Sequence, residues 1–188
     1  MTLKYVEINR DNILLATKVQ MEIFPGESGY EHFRLAIKGH NPLTKYYLVY
    51  DGDNVIGITG LYSRENVYLS HSIWLGWFGV LKQYRRHGYG KQVLYDTMDM
   101  AKSLMTKYPI KYFRLYTSSN DNASAIPLYD KTMDIKEDYT NIDDVTYDDS
   151  CLIYTKVLGD YEHIKWNNQY LNLNEVVKEQ EVGNLLFE

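Results

Sequence analysis

The stretch that most limits what this chain can become is Arg85-Arg86-His87-Gly88-Tyr89-Gly90-Lys91. It follows an apolar run, Ile73-Trp74-Leu75-Gly76-Trp77-Phe78-Gly79-Val80, and opens a long helical pattern. A strand, a basic turn with glycines and a helix start, in that order, build a cradle for a diphosphate. The helix start aims unpaired backbone N–H groups and a partial positive charge at one spot. Glycine lets the main chain approach an anion with no side chain in the way. Arg85, Arg86 and Lys91 add full charges, and a guanidinium grips phosphate through two parallel hydrogen bonds.

The turn reads R-x-x-G-x-G. It is neither G-x-x-x-x-G-K-[ST] nor G-x-G-x-x-G, so the nucleoside-triphosphate loop and the dinucleotide fingerprint are both excluded. With 188 residues, 45% of them hydrophobic, the chain is long enough for one domain with a good core and too short for two typical ones. No apolar run reaches the length of a bilayer span, and Met1 to Glu7 lacks the layout of a secretory signal. Cys151 is the single cysteine, which points to a reducing, cytoplasmic setting and to a buried packing role. The net charge of −5 argues against nucleic acid and is compatible with a cationic acceptor, and no membrane partner is expected. Against that acidic background the basic turn is a local positive spot.

Periodicity predicts a strand over Lys4–Ile8. A helix capped by Asp11 runs to about Phe24, with Ile13, Leu14, Thr17, Met21 and Phe24 near one face. Pro25 to Gly29 breaks it, and a second helix runs from about Tyr30 to Lys38. Strands over Tyr46–Tyr50 and Val55–Tyr62 flank the hairpin turn Asp51-Gly52-Asp53-Asn54. A strand over Ser70–Val80 precedes the basic turn. The long helix, Gly88 to about Lys107, carries the stripe Val93, Leu94, Met98, Ala101, Leu104 and Met105. A strand over Tyr112–Thr117 leads to a helix capped by Asn122 and ending at Lys131. A short strand over Ile135–Tyr139, an acidic loop around Asn141–Asp149 and a closing strand over Cys151–Leu158 complete the order β-α-α-β-β-β-α-β-α-β-β. The acidic loop reads as a solvated turn, and no metal site is expected. Residues 159–188 are too apolar for a free tail, with a helix capped by Asn174, and should pack on the domain or on a second subunit.

The two motif regions resemble the GNAT superfamily of acetyl-CoA-dependent N-acetyltransferases. Its members carry [RQ]-x-x-G-x-[GA] between a strand and a helix, here Arg85, Gly88 and Gly90. They carry N-x-x-A-x-x-L-Y-x-K further on, here Asn122, Ala125, Leu128, Tyr129 and Lys131. The family's usual glycine after that pattern is absent, since Met133-Asp134 follow Thr132. The resemblance implies an α/β GNAT fold over residues 1–158: a central mixed, mostly antiparallel sheet of six to seven strands flanked by helices, with 159–188 as an extension.

The resemblance also implies the chemistry, transfer of acetyl from acetyl-CoA to a primary amine on a small molecule or a peptide. The cradle of Arg85, Arg86, His87, Gly88, Tyr89, Gly90 and Lys91 would hold coenzyme A. Backbone groups of Phe78 to Val80 would pair with its pantetheine arm like an added strand, and the N–H of Val80 or Leu81 would face the thioester oxygen. Glycines at 76 and 79 suit a strand that bends and allows close approach. Tyr129 is the candidate general acid for the leaving thiolate, since a phenol keeps its proton at neutral pH. Asn122, or less directly Asn120, would bond the pantetheine arm.

No base is evident. The family positions that carry one correspond to Trp74 and Gly76, which take no proton. Glu22 on the first helix, His71 and Glu65 are the alternatives, or a water chain ending on one of them. Tyr30, Phe33, Tyr62, Tyr68 and Trp74 are candidate aromatic walls for the acceptor, with Glu22, Glu27 or Glu31 to pair an ammonium. A non-catalytic acyl-CoA-binding module on the same fold is the alternative reading.

Overall fold

The computed structural model describes residues 2–63, 66–118, 123–138 and 151–166. The elements are β1 (Lys4–Glu7), α1 (Ile13–Ile23), α2 (Tyr30–Lys38), β2 (Lys45–Asp51), β3 (Asn54–Tyr62), α3 (Val67–Ser70) and β4 (Ser72–Leu75). Then come β5 (Gly79–Val80), a 3-10 turn at Lys82–Tyr84, α4 (Tyr89–Leu104), β6 (Tyr112–Ser118), α5 (Ile126–Thr132), β7 (Ile135–Asp138) and β8 (Cys151–Val157). All eight strand segments form one sheet, in the order β1-β2-β3-β4-β6-β8-β7 with β5 also on β3. Only β4 and β6 pair in parallel; every other pair is antiparallel. The mixed, mostly antiparallel sheet between helices is as the sequence predicts.

Strand alternation divides the side chains into two layers. Ile73, Leu75, Phe113, Leu115 and Leu152 point to one face, where Leu94, Met98 and Ala101 of α4 and Tyr129 of α5 cover them. The α4 stripe is thus core, with Leu104 and Met105 at its margin. On the other face α1 and α2 cover Tyr46, Leu48 and Ile58, through Ala16, Val19 and Phe33. The far half of that face is covered by 159–166. There Trp166 is buried with Trp74, Tyr62 and Ile153, and its backbone N–H donates to Glu137 Oε2 at 2.7 Å. Residues 167–188, including the helix expected from Asn174, lie outside the described residues.

Several local expectations change. The strand expected over Ser70–Val80 is interrupted: Ser70 ends α3, and the chain breaks between β4 and β5. Joined, those two pieces are one strand, and the expected strand count holds. The first helix is preceded by Asn12, not capped by Asp11; the Asn12 carboxamide instead accepts the N–H of Asn9 at 2.8 Å. The packed face of α1 is Ala16, Val19, Gln20 and Ile23, spaced i, i+3, i+4, i+7. Leu14 and Met21 lie on the opposite side and are exposed. Helix α5 begins at Ile126, later than a cap at Asn122 would place it. Cys151 is half-buried at the start of β8, less enclosed than a packing role implies. The acidic loop and Tyr139 lie outside the described residues.

Where a glycine was missing after α5, the chain leaves the helix through Met133 in an extended conformation (φ −92°, ψ 158°). Asp134 fixes the exit: its carboxylate accepts from Val157 N–H at 2.8 Å and from Lys156 Nζ at 2.6 Å.

Candidate functional site

The sheet comes apart at one place. β4 and β6 run side by side only over Ser72–Trp74 and Tyr112–Arg114. β6 then continues to Ser118 with β8, while the chain after β4 turns to β3 alone, with Gly57 opposite Val80 and Ile58 opposite Gly79. The register against β3 shifts by one residue between Leu75 and Gly79, which is a β-bulge at Trp77–Phe78. Trp77 sits there at φ 45°, a left-handed conformation that costs a bulky residue about 1–2 kcal/mol. Bulges bend strands away from their neighbours, and this one leaves an open backbone edge on β5 facing the upper half of β6.

The ladder says which groups line that edge. Leu81 N–H donates to Ile56 O at 2.9 Å, toward β3. In an antiparallel pair successive N–H groups alternate in direction, so the N–H of Val80 faces away from β3, into the opening. Of the two residues the sequence leaves open at the thioester, Leu81 has its N–H already engaged. Gly79 is required where the end of α1 crosses β5: a Cβ there would lie 2.4 Å from Ile23 Cγ2.

The basic turn lies at the end of this edge. Arg85 folds back so that its Nε donates to Val80 O at 2.8 Å. Arg86 has a positive φ of 68°, and Gly88, at φ 86°, begins α4. A Cβ on Gly88 would meet nothing within 4 Å, so the space over the turn is open. The first helical bond runs from Gln92 N–H to Gly88 O. The N–H groups of Tyr89, Gly90 and Lys91 therefore have no acceptor within the helix. Arg85, Arg86, His87 and Lys91 are all exposed around them. Tyr89 contributes main chain only, since its side chain turns inward and donates to Asp51 Oδ2 in the β2–β3 turn.

Across the opening stands α5. Phe78 is half-buried, with its ring 6.3 Å from that of Tyr129. Tyr129 is 5% exposed. Burial, and secondarily the nearby Tyr154, push its phenol above the ordinary tyrosine value, so the protonated form is favoured. Tyr154 is itself held by a hydrogen bond to Asp130 Oδ1 at 2.7 Å.

Of the residues suggested as bases, His71 stands away from the opening. His71 is the αL residue closing α3, with Nδ1 on Pro109 O at 2.8 Å. That is the end of β4 away from the bulge. Glu22 is exposed near the end of α1. Glu65, Asn120 and Asn122 lie outside the described residues. Of the expected aromatic walls, Phe33 and Trp74 are fully buried and Tyr62 nearly so, whereas Tyr30 and Tyr68 are exposed.

Two features escaped the sequence reading. Arg114, 2% exposed, bonds Ser72 Oγ at 2.9 Å, Thr155 Oγ1 at 2.6 Å and Ile164 O at 3.3 Å, and so ties 159–166 to the sheet. A lone arginine inside an apolar strand was the available signal. The other is the bond from Trp77 Nε1–H to His32 Nδ1 at 2.8 Å, which nothing in the spacing of residues 45 apart reveals.

A family model described as "Acetyltransferase (GNAT) family" matches residues 13–134. No curated protein matches the sequence. Among solved structures, a spermidine N-acetyltransferase chimera from Vibrio cholerae and hSSAT is similar at TM-score 0.65 and 16% identity, over 84% of this chain and 96% of that one. Arabidopsis thaliana NAA60 in complex with a bisubstrate analogue is similar at 0.61 and 15% identity, over 83% and 98%. A GNAT family acetyltransferase from Elizabethkingia anophelis with acetyl-CoA bound is similar at 0.60 and 16% identity, over 82% and 97%.

Proposed function

The chain belongs to the GNAT family of acetyltransferases, whose co-substrate is acetyl-CoA, and from that premise we propose that it transfers acetyl to a primary amine by direct attack in a ternary complex. The observation that carries this reading is the open edge of β5, bounded at one end by the exposed cations and free N–H groups at the start of α4 and across by Tyr129.

In this reading the turn holds the diphosphate of coenzyme A through the N–H groups at the start of α4 and through Arg85, Arg86, His87 and Lys91. The main chain of Phe78 to Val80 binds the pantetheine arm as a strand would. Asn122, which lies outside the described residues, is assigned to the same arm from its motif position. The Val80 N–H donates to the thioester oxygen and stabilises the charge that develops there. The neutral amine attacks the carbonyl carbon, the C–S bond breaks, and the thiolate takes the proton of the Tyr129 hydroxyl. The phenol is protonated at neutral pH, as a proton donor must be. The proton lost by the amine passes to water or to Glu22, which adjoins Ile23 where α1 meets β5.

The net charge of −5 suits a cationic acceptor. The similar structures include a spermidine N-acetyltransferase, which supports an amine acceptor class and not a particular amine. The test is a thiol-release assay with acetyl-CoA across polyamines, amino sugars and peptide amines, with calorimetry on coenzyme A. Turnover with at least one amine is expected. Coenzyme binding without turnover on any amine overturns the catalytic reading.

A further inference from the structure

We propose that His32 is a positioning residue for acetyl transfer: by accepting the indole N–H of Trp77, it fixes the bulge that turns Val80 toward the opening. This rests on the reading of the opening as the acetyl-CoA site. His32 is in the first turn of α2, and Trp77 is the bulge residue between β4 and β5. The bond is 2.8 Å long, and the rings stand 5.5 Å apart at 41°. An indole nitrogen can only donate. His32 Nδ1 therefore accepts, which fixes a neutral imidazole with its proton on Nε2.

What surrounds this bond explains why it governs the bulge. Phe24, just after α1, packs its ring edge-on to Trp77 at 5.4 Å and 66°. Gly29, just before α2, has no room for a side chain: a Cβ there would lie 2.9 Å from Phe33 Cζ and 3.2 Å from Trp77 Nε1. The Gly29 N–H donates to the buried Gln20 Oε1 at 2.7 Å, which ties the loop between the helices back to α1. The indole is thus held at its nitrogen by His32, close against Gly29 of the α1–α2 loop, with Phe24 against its ring. Trp77 adopts a conformation that a tryptophan left alone avoids, so something outside the strand must hold it. Releasing the indole lets residue 77 relax toward extended backbone. That loosens the bulge, so that the N–H of Val80 no longer holds its direction into the opening. His32 touches neither co-substrate in this scheme; it acts through Trp77.

The experiment uses the full chain labelled with 15N, with the indole resonance of Trp77 assigned through Trp77→Phe. The expected result is that the wild-type indole proton is slow to exchange. His32→Leu moves that resonance and the Val80 amide and speeds exchange. His32→Asn, which places an oxygen where Nδ1 was, restores both. In kinetics His32→Leu lowers kcat by roughly tenfold to a hundredfold, weakens the Kd for free coenzyme A by less, because the pantetheine edge at Phe78 to Val80 loosens while the N–H groups at the start of α4 stay in place, and is rescued by Asn. The proposal is overturned if His32→Leu leaves the two resonances in place. It is equally overturned if Asn is no better than Leu, or if coenzyme affinity falls as far as kcat. Should the wild-type protein turn over no amine, the catalytic reading fails, while the resonances still decide whether His32 sets the bulge.

Discussion

Arg85 Nε donates to the carbonyl oxygen of Val80 at 2.8 Å, so the first cation of the turn is fastened to the strand whose edge is open. The bond uses one face of the guanidinium and leaves the Nη groups for an anion. Arg85→Ala should therefore weaken coenzyme A binding by about tenfold, from the loss of one charge-assisted contact. Arg85→Lys should recover little, because a lysine cannot make the back-bond and the anion contact together. Calorimetry on coenzyme A measures both.

Gly88→Glu should abolish coenzyme binding, with the fold intact by circular dichroism. The site has open space over it, so the new carboxylate meets no protein wall and instead stands in the cradle. At φ 86° any side chain also costs about 1–2 kcal/mol of backbone strain. Gly88→Ala should show that strain alone, as a lower melting temperature with much milder loss of binding.

Tyr129→Phe should lower kcat by about a hundredfold while leaving coenzyme affinity within about twofold. The ring is buried against Phe78 and Tyr154, and phenylalanine keeps that packing. An unchanged rate in steady-state assays would remove Tyr129 as the acid.

The raised tyrosines set the alkaline behaviour. Tyr129 is raised first by burial, Tyr5 by burial and by its bond to Asp96, and Tyr154 by burial and by Asp130. A folded-state pKa above the unfolded value favours the fold while the phenol is protonated. That stability is fully present below about pH 10, the unfolded tyrosine value, and is lost as pH climbs above it. Urea midpoints should be flat from pH 8 to about 9.5 and fall beyond. The rate should show no Tyr129-dependent decline below about pH 10.

Arg114→Met should destabilise the fold by about 2–4 kcal/mol, since Ser72, Thr155 and the Ile164 carbonyl all lose a partner. Trp166→Ala should cost about 3–5 kcal/mol. Arg114 stacks 5.3 Å from the Trp166 ring, so the double variant should lose about 1 kcal/mol less than the sum. Denaturant titration of the three variants measures this.

Much of this architecture is legible in the chain because local patterns dictate it. The α4 stripe, the Asp51-Gly52 hairpin and the basic turn each follow from residues near in sequence. The spacing of the two motifs singles out the basic turn and Tyr129. What the pattern hides is tertiary. An apolar run such as Ile73 to Val80 is compatible with one straight strand, and only the pairing against β3 shows the extra residue at the bulge. Leu14 and Met21 read as core by hydrophobicity, yet α1 crosses β3 and β5 on its small side, Ala16 and Val19, and leaves them outside. His71 reads as a strand residue but closes a short helix in αL geometry, a conformation that residue identity alone rarely announces.

Three rungs, Ser72 to Trp74, are all that join the two halves of the sheet in register before they part. Whatever docks beyond them meets amide and carbonyl groups, which every amino acid supplies alike. Mutational drift along that rim can replace side chains freely without erasing the pattern of donors and acceptors, provided the kink survives. A fold that offers main chain along such an edge can wander to about 16% identity with its structural relatives and still superimpose on them.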